Sequence, residues 1–235
     1  MKKSKLRMFA GELIGTIGLM FVWTGMFVIP HSVGAQFSPF ELYLTLGIAV
    51  AAISLAIGKV SGAHLNPAVT FGFWVSRRIR GRDMFLYFAC QFVAAFLVIG
   101  IFLAFFPVLG EPDSISPSIS IFRTLVFEII VNFFLVFVIL RVSKDGTVGG
   151  LRPSIAAGLI YFTAGIITSP LHYPSIHIAR ASAMALYASR HDELWIYVVA
   201  ALIGSSVAAF ASKMMDKIDP NKKKERPHSD RSHEI

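Results

Sequence analysis

The chain has 235 residues, of which 55% are hydrophobic and 15% charged, with a mean hydropathy of +0.66. A soluble domain carries about 25% charged residues, so these charges are too few to cover a globule of this size, which excludes disorder and argues against an ordinary soluble enzyme. The net charge of +8 does not read as a nucleic-acid footprint, because the cations cluster at the two ends and in short runs between apolar segments.

The opening MKKSKLR and the apolar stretch after it resemble the start of a signal peptide, but the stretch lacks a small-residue cleavage site and carries Glu12, which predicts a retained first span. A hydrocarbon core about 30 Å thick needs roughly 20 apolar helical residues. Six segments qualify: Met8 to Ile29, Phe40 to Ile57, Met84 to Phe106, Phe122 to Leu140, Ser154 to Ser169 and Leu194 to Ala211. Two further apolar stretches, Pro67 to Val75 and Ile178 to Ala188, are too short to cross and fit half-buried re-entrant segments. Cys90 is the single cysteine, so an intrachain disulfide and a thiol metal cluster are both excluded. Residues 216–235 form a polar tail with the composition of a disordered segment.

Orientation follows from the cations that flank the spans. Four lie at the amino end (Lys2, Lys3, Lys5, Arg7) and five between the second and third spans (Lys59, Arg77, Arg78, Arg80, Arg82). Three lie between the fourth and fifth (Arg141, Lys144, Arg152) and seven from Lys213 onward. Six spans with both termini inside put these nineteen of the 22 Lys and Arg residues on the cytoplasmic side. Laying span one over span four aligns Glu12 with Glu128, Leu19 with Leu135, Phe21 with Phe137 and Val22 with Val138. Three spans per repeat make the second copy inverted, so the expected architecture is an all-α membrane protein with two inverted repeats, residues 1–110 and 111–215. Sites in such a fold lie at the midplane, where the repeats meet.

The strongest local signal is Ser61-Gly62-Ala63-His64-Leu65-Asn66-Pro67-Ala68-Val69-Thr70. Asn is a preferred N-cap and Pro a preferred first helical residue, so Asn66-Pro67 predicts a helix that starts at membrane depth. With six spans and an acidic residue in spans one and four, SGAHLNPAVTFG resembles the aquaporin, or major intrinsic protein, channels over roughly residues 5 to 213. The resemblance implies two half-helices entering from opposite faces, each starting at Asn-Pro-Ala, with their positive ends meeting at the pore centre. Two such ends disfavour cations and protons while neutral dipoles pass.

The second half departs from that pattern. Where the family has Asn-Pro-Ala-Arg, this chain has His177-Ile178-Ala179-Arg180, and Ala183-Met184 stands in place of a Gly-Pro pair. A neutral imidazole has one donor and one acceptor, so His177 is able to cap a helix, and Ile178 in place of Pro costs little at a helix start. Protonation would remove the acceptor, which predicts a fall in permeability below about pH 6.5 unless the ring packs against backbone instead.

By the same resemblance Arg180 forms the outer constriction together with Leu46, Gly165 and Pro174. Leu46 and Gly165 are smaller and less polar than the residues of water-selective members, so a wider opening is expected, with His172 or Tyr173 as candidates to refill it. Ala181 and Ile196-Tyr197 do not match the glycerol-conducting pattern, so water and glycerol both remain open. Glu12 and Glu128 are expected to accept from backbone N–H groups of the re-entrant loops. The phenylalanines and Trp23, Trp74 and Trp195 are assigned to packing or lipid contact.

No catalytic constellation, metal-ligand spacing or cofactor motif is present. The expected function is a passive channel for water or small neutral solutes such as glycerol, in a plasma or inner membrane. The resemblance implies a homotetramer. A proton- or ion-coupled carrier using Glu12, Glu128 and His177 is the alternative, because inverted repeats with broken helices also describe that class, and a nonconducting relative is a third.

Overall fold

The computed structural model describes residues 2–106, 120–143, 146–170, 176–187 and 192–218. These form eight helices: α1 (Lys2–Ser32), α2 (Pro39–Ser61), α3 (Pro67–Val75), α4 (Gly81–Phe105), α5 (Ile121–Val142), α6 (Leu151–Thr168), α7 (Ile178–Tyr187) and α8 (Leu194–Ile218). Six are long and apolar enough to cross a membrane. The sequence expectation fell a few residues short at most ends, because polar residues extend the helices beyond the apolar core. α8 runs to Ile218, so the expected tail begins inside a helix, and residues 219–235 lie outside the described ones.

Local signals set the starts. Ser38 caps α2 and pairs reciprocally with Glu41, with Pro39 at the first helical position. Ser120 caps α5 by accepting from the Arg123 N–H at 3.4 Å. α3 and α7 have nine and ten residues, which rise about 14 and 15 Å. Placed end to end, they match the thickness of one hydrocarbon core.

The packing repeats itself between the two halves. α1 packs on α2 and α4 as α5 packs on α6 and α8, and α3 touches α4 and α8 as α7 touches α8 and α4. α2 and α6 pair with each other across the junction, and α3 meets α7. This exchange of equivalent contacts is what two copies of one unit produce. At the α2–α6 crossing the backbones touch: a Cβ on Gly47 would lie 2.6 Å from the Gly158 carbonyl oxygen and 3.0 Å from Phe162 Cβ. Small residues at such crossings allow the close approach that helix association in a bilayer relies on.

One end of the bundle collects the cations. Lys5 pairs with Asp83 at 3.0 Å, Arg141 and Arg78 pair with Asp216 at 2.6 and 3.9 Å, and Lys213 donates to the Val75 carbonyl at 2.8 Å. Residues from the amino end, the α3–α4 connection, α5 and α8 therefore share one face, as the distribution of Lys and Arg required.

The crossing yields a prediction. Gly47→Ala should destabilise the protein by about 1–3 kcal/mol through overpacking, seen as a lower thermal midpoint in detergent. Gly18→Ala, whose Cβ would meet Ile53 Cδ1 at an ordinary 3.4 Å, should not lower it.

Candidate functional site

Asn66 and His177 sit at the amino ends of α3 and α7 and are both fully buried. The Asn66 Oδ1 accepts from the Ala68 N–H at 2.7 Å, and its carbonyl accepts the first helical bond from Thr70. His177 does the same for α7: its Nδ1 accepts from the Arg180 N–H at 3.3 Å, and its carbonyl accepts from Ala181. Each cap also donates to the loop of the other. Asn66 Nδ2 donates to the Ile176 carbonyl at 2.6 Å, and His177 Nε2 donates to the Leu65 carbonyl at 2.6 Å. The two half-helices are thereby joined by a reciprocal pair, each bond ending on the residue just before the opposite cap.

A histidine in this position works only as the neutral ring, with one nitrogen donating and the other accepting. The imidazole therefore reproduces the donor and acceptor of an amide, at a helix start where His177-Ile178 stands in place of Asn-Pro. Of the two sequence readings of His177, the surroundings favour packing against backbone. Both nitrogens are engaged there, and the ring stands edge-on to Trp23 at 6.3 Å.

The loop before α3 has an irregular backbone. Ala63 and Leu65 adopt left-handed conformations, with φ of 48° and 54°, each costing about 1–3 kcal/mol for a non-glycine residue. Side chains from other helices hold them. Glu12 on α1 accepts from the Leu65 N–H at 2.5 Å and from Gln91 Nε2 at 2.9 Å. Ser61 Oγ accepts from the Ala63 N–H at 3.0 Å, and the Tyr87 hydroxyl donates to the Ser61 carbonyl. Gln91 also reaches Thr70, which lies 3.1 Å from His64 Nδ1, while His64 Nε2 donates to the Gly146 carbonyl at 2.9 Å. Glu128 is fully buried at the equivalent place on α5, with Asn132 Nδ2 3.4 Å from its Oε2.

Arg180 is 1% exposed. Its guanidinium lies over the Trp23 ring at 4.8 Å and near the Phe27 ring at 5.5 Å, a cation–π arrangement that strengthens where water is excluded. Both rings come from α1. Their assignment to bland packing is thus corrected: Phe27 meets Arg180, and Trp23 meets Arg180, His177 and Tyr161. Leu46 is buried nearby, beside a cavity of about 10 Å³ lined by Val22, Trp23, Met26, Phe27, Leu42, Tyr43 and Leu46, which is room for about one water.

The space beside Gly165 itself is occupied. A Cβ at Gly165 would run into the Tyr43 ring, so the space that glycine leaves on α6 is filled from α2. Pro174, His172 and Tyr173 lie outside the described residues. Sequence reasoning missed Tyr43 and Tyr161, and the missing signal was helical spacing. Trp23 and Phe27 continue the face of Glu12 and Leu19 along α1, and Tyr161 stands four residues before Gly165 on α6.

Comparisons with known proteins bear on the family and the fold. The model of the major intrinsic protein family matches residues 1–212. The Zea mays protein named aquaporin NIP1-1 is 32% identical over 206 residues, covering 87% of this chain and 73% of that protein. Aquaporin NIP3-1 of Oryza sativa subsp. japonica is 30% identical over 228 residues, covering 95% of this chain and 73% of that one. Among solved structures, the aquaglyceroporin from Plasmodium falciparum superposes with a TM-score of 0.78 at 29% identity, covering 91% of this chain and 98% of that chain.

The reciprocal caps predict a graded pair of variants. His177→Ala removes a cap acceptor and leaves the Leu65 carbonyl without its donor, and should cost about 1–3 kcal/mol. His177→Asn supplies both groups and should recover most of that loss in thermal unfolding of the detergent-solubilised protein.

Proposed function

The chain belongs to the major intrinsic protein family, and on that premise we propose that it is a passive transmembrane channel for water and small neutral solutes such as glycerol. It is an integral membrane protein by its six long apolar helices and by that membership. The observation that carries the channel reading is the meeting of α3 and α7 through the Asn66 and His177 caps at 2.6 Å each. Two helix amino ends aimed at one point carry about half a positive charge each. A cation or an excess proton meets that potential, whereas a neutral dipole reorients and passes.

In this reading a permeant passes Arg180 first, where the guanidinium is held by the α1 aromatic rings and repels cations. Leu46, Gly165 and Pro174 complete that constriction, and Tyr43 narrows it over Gly165. The permeant then passes the junction of Asn66-Pro67-Ala68 with His177-Ile178-Ala179. Glu12 acts as support for the re-entrant backbone, since its Oε1 is occupied by Leu65 and Gln91, and Glu128 takes the same role in the other half. Holding backbone and Gln91 through that oxygen favours a supporting role at Glu12 over proton coupling. The cation-rich face is cytoplasmic by the positive-inside rule, which puts both termini inside a plasma or inner membrane, with four copies forming a tetramer of separate pores.

Stopped-flow light scattering on proteoliposomes tests the reading. Shrinkage under sucrose should be well above that of empty liposomes and linear in the gradient, with reswelling in glycerol. Saturating or gradient-coupled flux would instead indicate a carrier, and no flux would leave a nonconducting relative. Acid is expected to have no effect between pH 7.5 and pH 5.5. An imidazolium at His177 would drop the Arg180 N–H and sit wholly buried with Arg180 as the charged group facing it, a cost of several kcal/mol for an unpaired buried ion. A fall in flux at pH 5.5 that His177→Asn abolishes would restore the acid switch.

A further inference from the structure

The reciprocal junction leaves the two caps with no donor to spare. An asparagine amide has two N–H donors and one acceptor oxygen. At Asn66 the oxygen takes the Ala68 N–H, one donor goes to the Ile176 carbonyl at 2.6 Å, and the other goes to the Tyr161 hydroxyl, also at 2.6 Å. His177 has one donor, spent on the Leu65 carbonyl, and its acceptor is spent on Arg180. A permeant at the junction therefore finds every hydrogen of both caps already given to protein.

Tyr161 changes that account. It projects from α6, one helical turn before Gly165, is 2% exposed, and stands edge-on to Trp23 at 6.3 Å. Its oxygen receives the Asn66 N–H, and among the described residues no group takes its own O–H hydrogen. A buried hydroxyl that accepts but does not donate has one hydrogen left to give, and the adjoining N–H polarises it to give that hydrogen more strongly.

We propose that Tyr161 is a specificity-determining residue of this channel, whose hydroxyl takes the second Asn66 donor and presents its own hydrogen to the permeant at the midplane. The inference rests on the channel reading above. The relay keeps the junction a donor site, so a permeating water or alcohol turns its oxygen toward Tyr161, in keeping with the positive ends of α3 and α7. It also moves the contact from the cap to the end of an aromatic ring on α6. The polar contact that a solute makes is then held by Trp23 packing as well as by the half-helix.

Two substitutions separate this role from simple packing. Tyr161→Phe keeps the ring but removes the hydrogen that the hydroxyl offers, and it leaves the freed Asn66 N–H facing a ring edge. Tyr161→Val removes the ring and opens the Asn66 N–H directly. The test is water permeability per reconstituted channel, with the amount of folded protein measured on the same proteoliposomes. We expect Tyr161→Phe to fall about tenfold, the equivalent of one hydrogen bond, and Tyr161→Val to match or exceed the unsubstituted protein. A merely structural tyrosine gives the opposite order, because valine leaves the larger void. Equal permeability in Tyr161→Phe and the unsubstituted protein, or a Tyr161→Val below Tyr161→Phe, overturns the proposal and leaves the channel reading standing. Absence of flux in all three proteins overturns the channel reading, and the proposal with it.

Discussion

Backbone that leaves helical geometry inside a bilayer has no water to satisfy it, so every exposed N–H and carbonyl must find a partner within the protein. In this chain that requirement falls on the loops before α3 and α7. Its solution is the reciprocal pair in which Asn66 donates to the Ile176 carbonyl and His177 to the Leu65 carbonyl. Each side chain caps its own helix with one atom and ties down the opposite loop with another. Glu12, Gln91, Tyr87 and Ser61 extend the same accounting to the left-handed turns at Ala63 and Leu65.

This accounting makes the change of residue at the second cap intelligible. What a cap at membrane depth must supply is one acceptor for its own helix and one donor for the opposite loop. A neutral imidazole supplies both, and Ile178 restores an N–H at a helix position where none is required. His177 has no spare hydrogen, however, and Tyr161 occupies the spare hydrogen of Asn66. The chemistry at the junction is therefore decided by residues of α1 and α6 as well as by the half-helices. Trp23 links the two levels of the site, since its ring touches Arg180, His177 and Tyr161.

A similar exchange governs the space beside Gly165. Glycine at 165 would leave a gap on α6, but α2 and α6 cross so closely at Gly47 and Gly158 that Tyr43 reaches over Gly165. The small residues that bring the helices together are thus also what allows an aromatic ring from one to fill the space left by the other. Size at such a site belongs to the helix pair.

The amino-acid sequence by itself determined the six spans, the two short helices, the amino end of α3 at Asn66-Pro67 and the gathering of cations at one end. All of these follow from local hydrophobicity, capping chemistry and charge counts, which depend on residues close together in the chain. It also marked Glu12, Glu128, Arg180 and His177, because buried polar groups within apolar runs stand out without any structure. What only the tertiary structure decided is who meets whom: that Trp23 and Phe27 cradle Arg180, that Tyr43 covers Gly165, and that Tyr161 takes the hydrogen of Asn66. These contacts join residues 95 to 157 positions apart. Aromatic residues are common along every apolar helix, and their roles depend on which face each helix turns toward its neighbours, a property of packing that no local pattern carries.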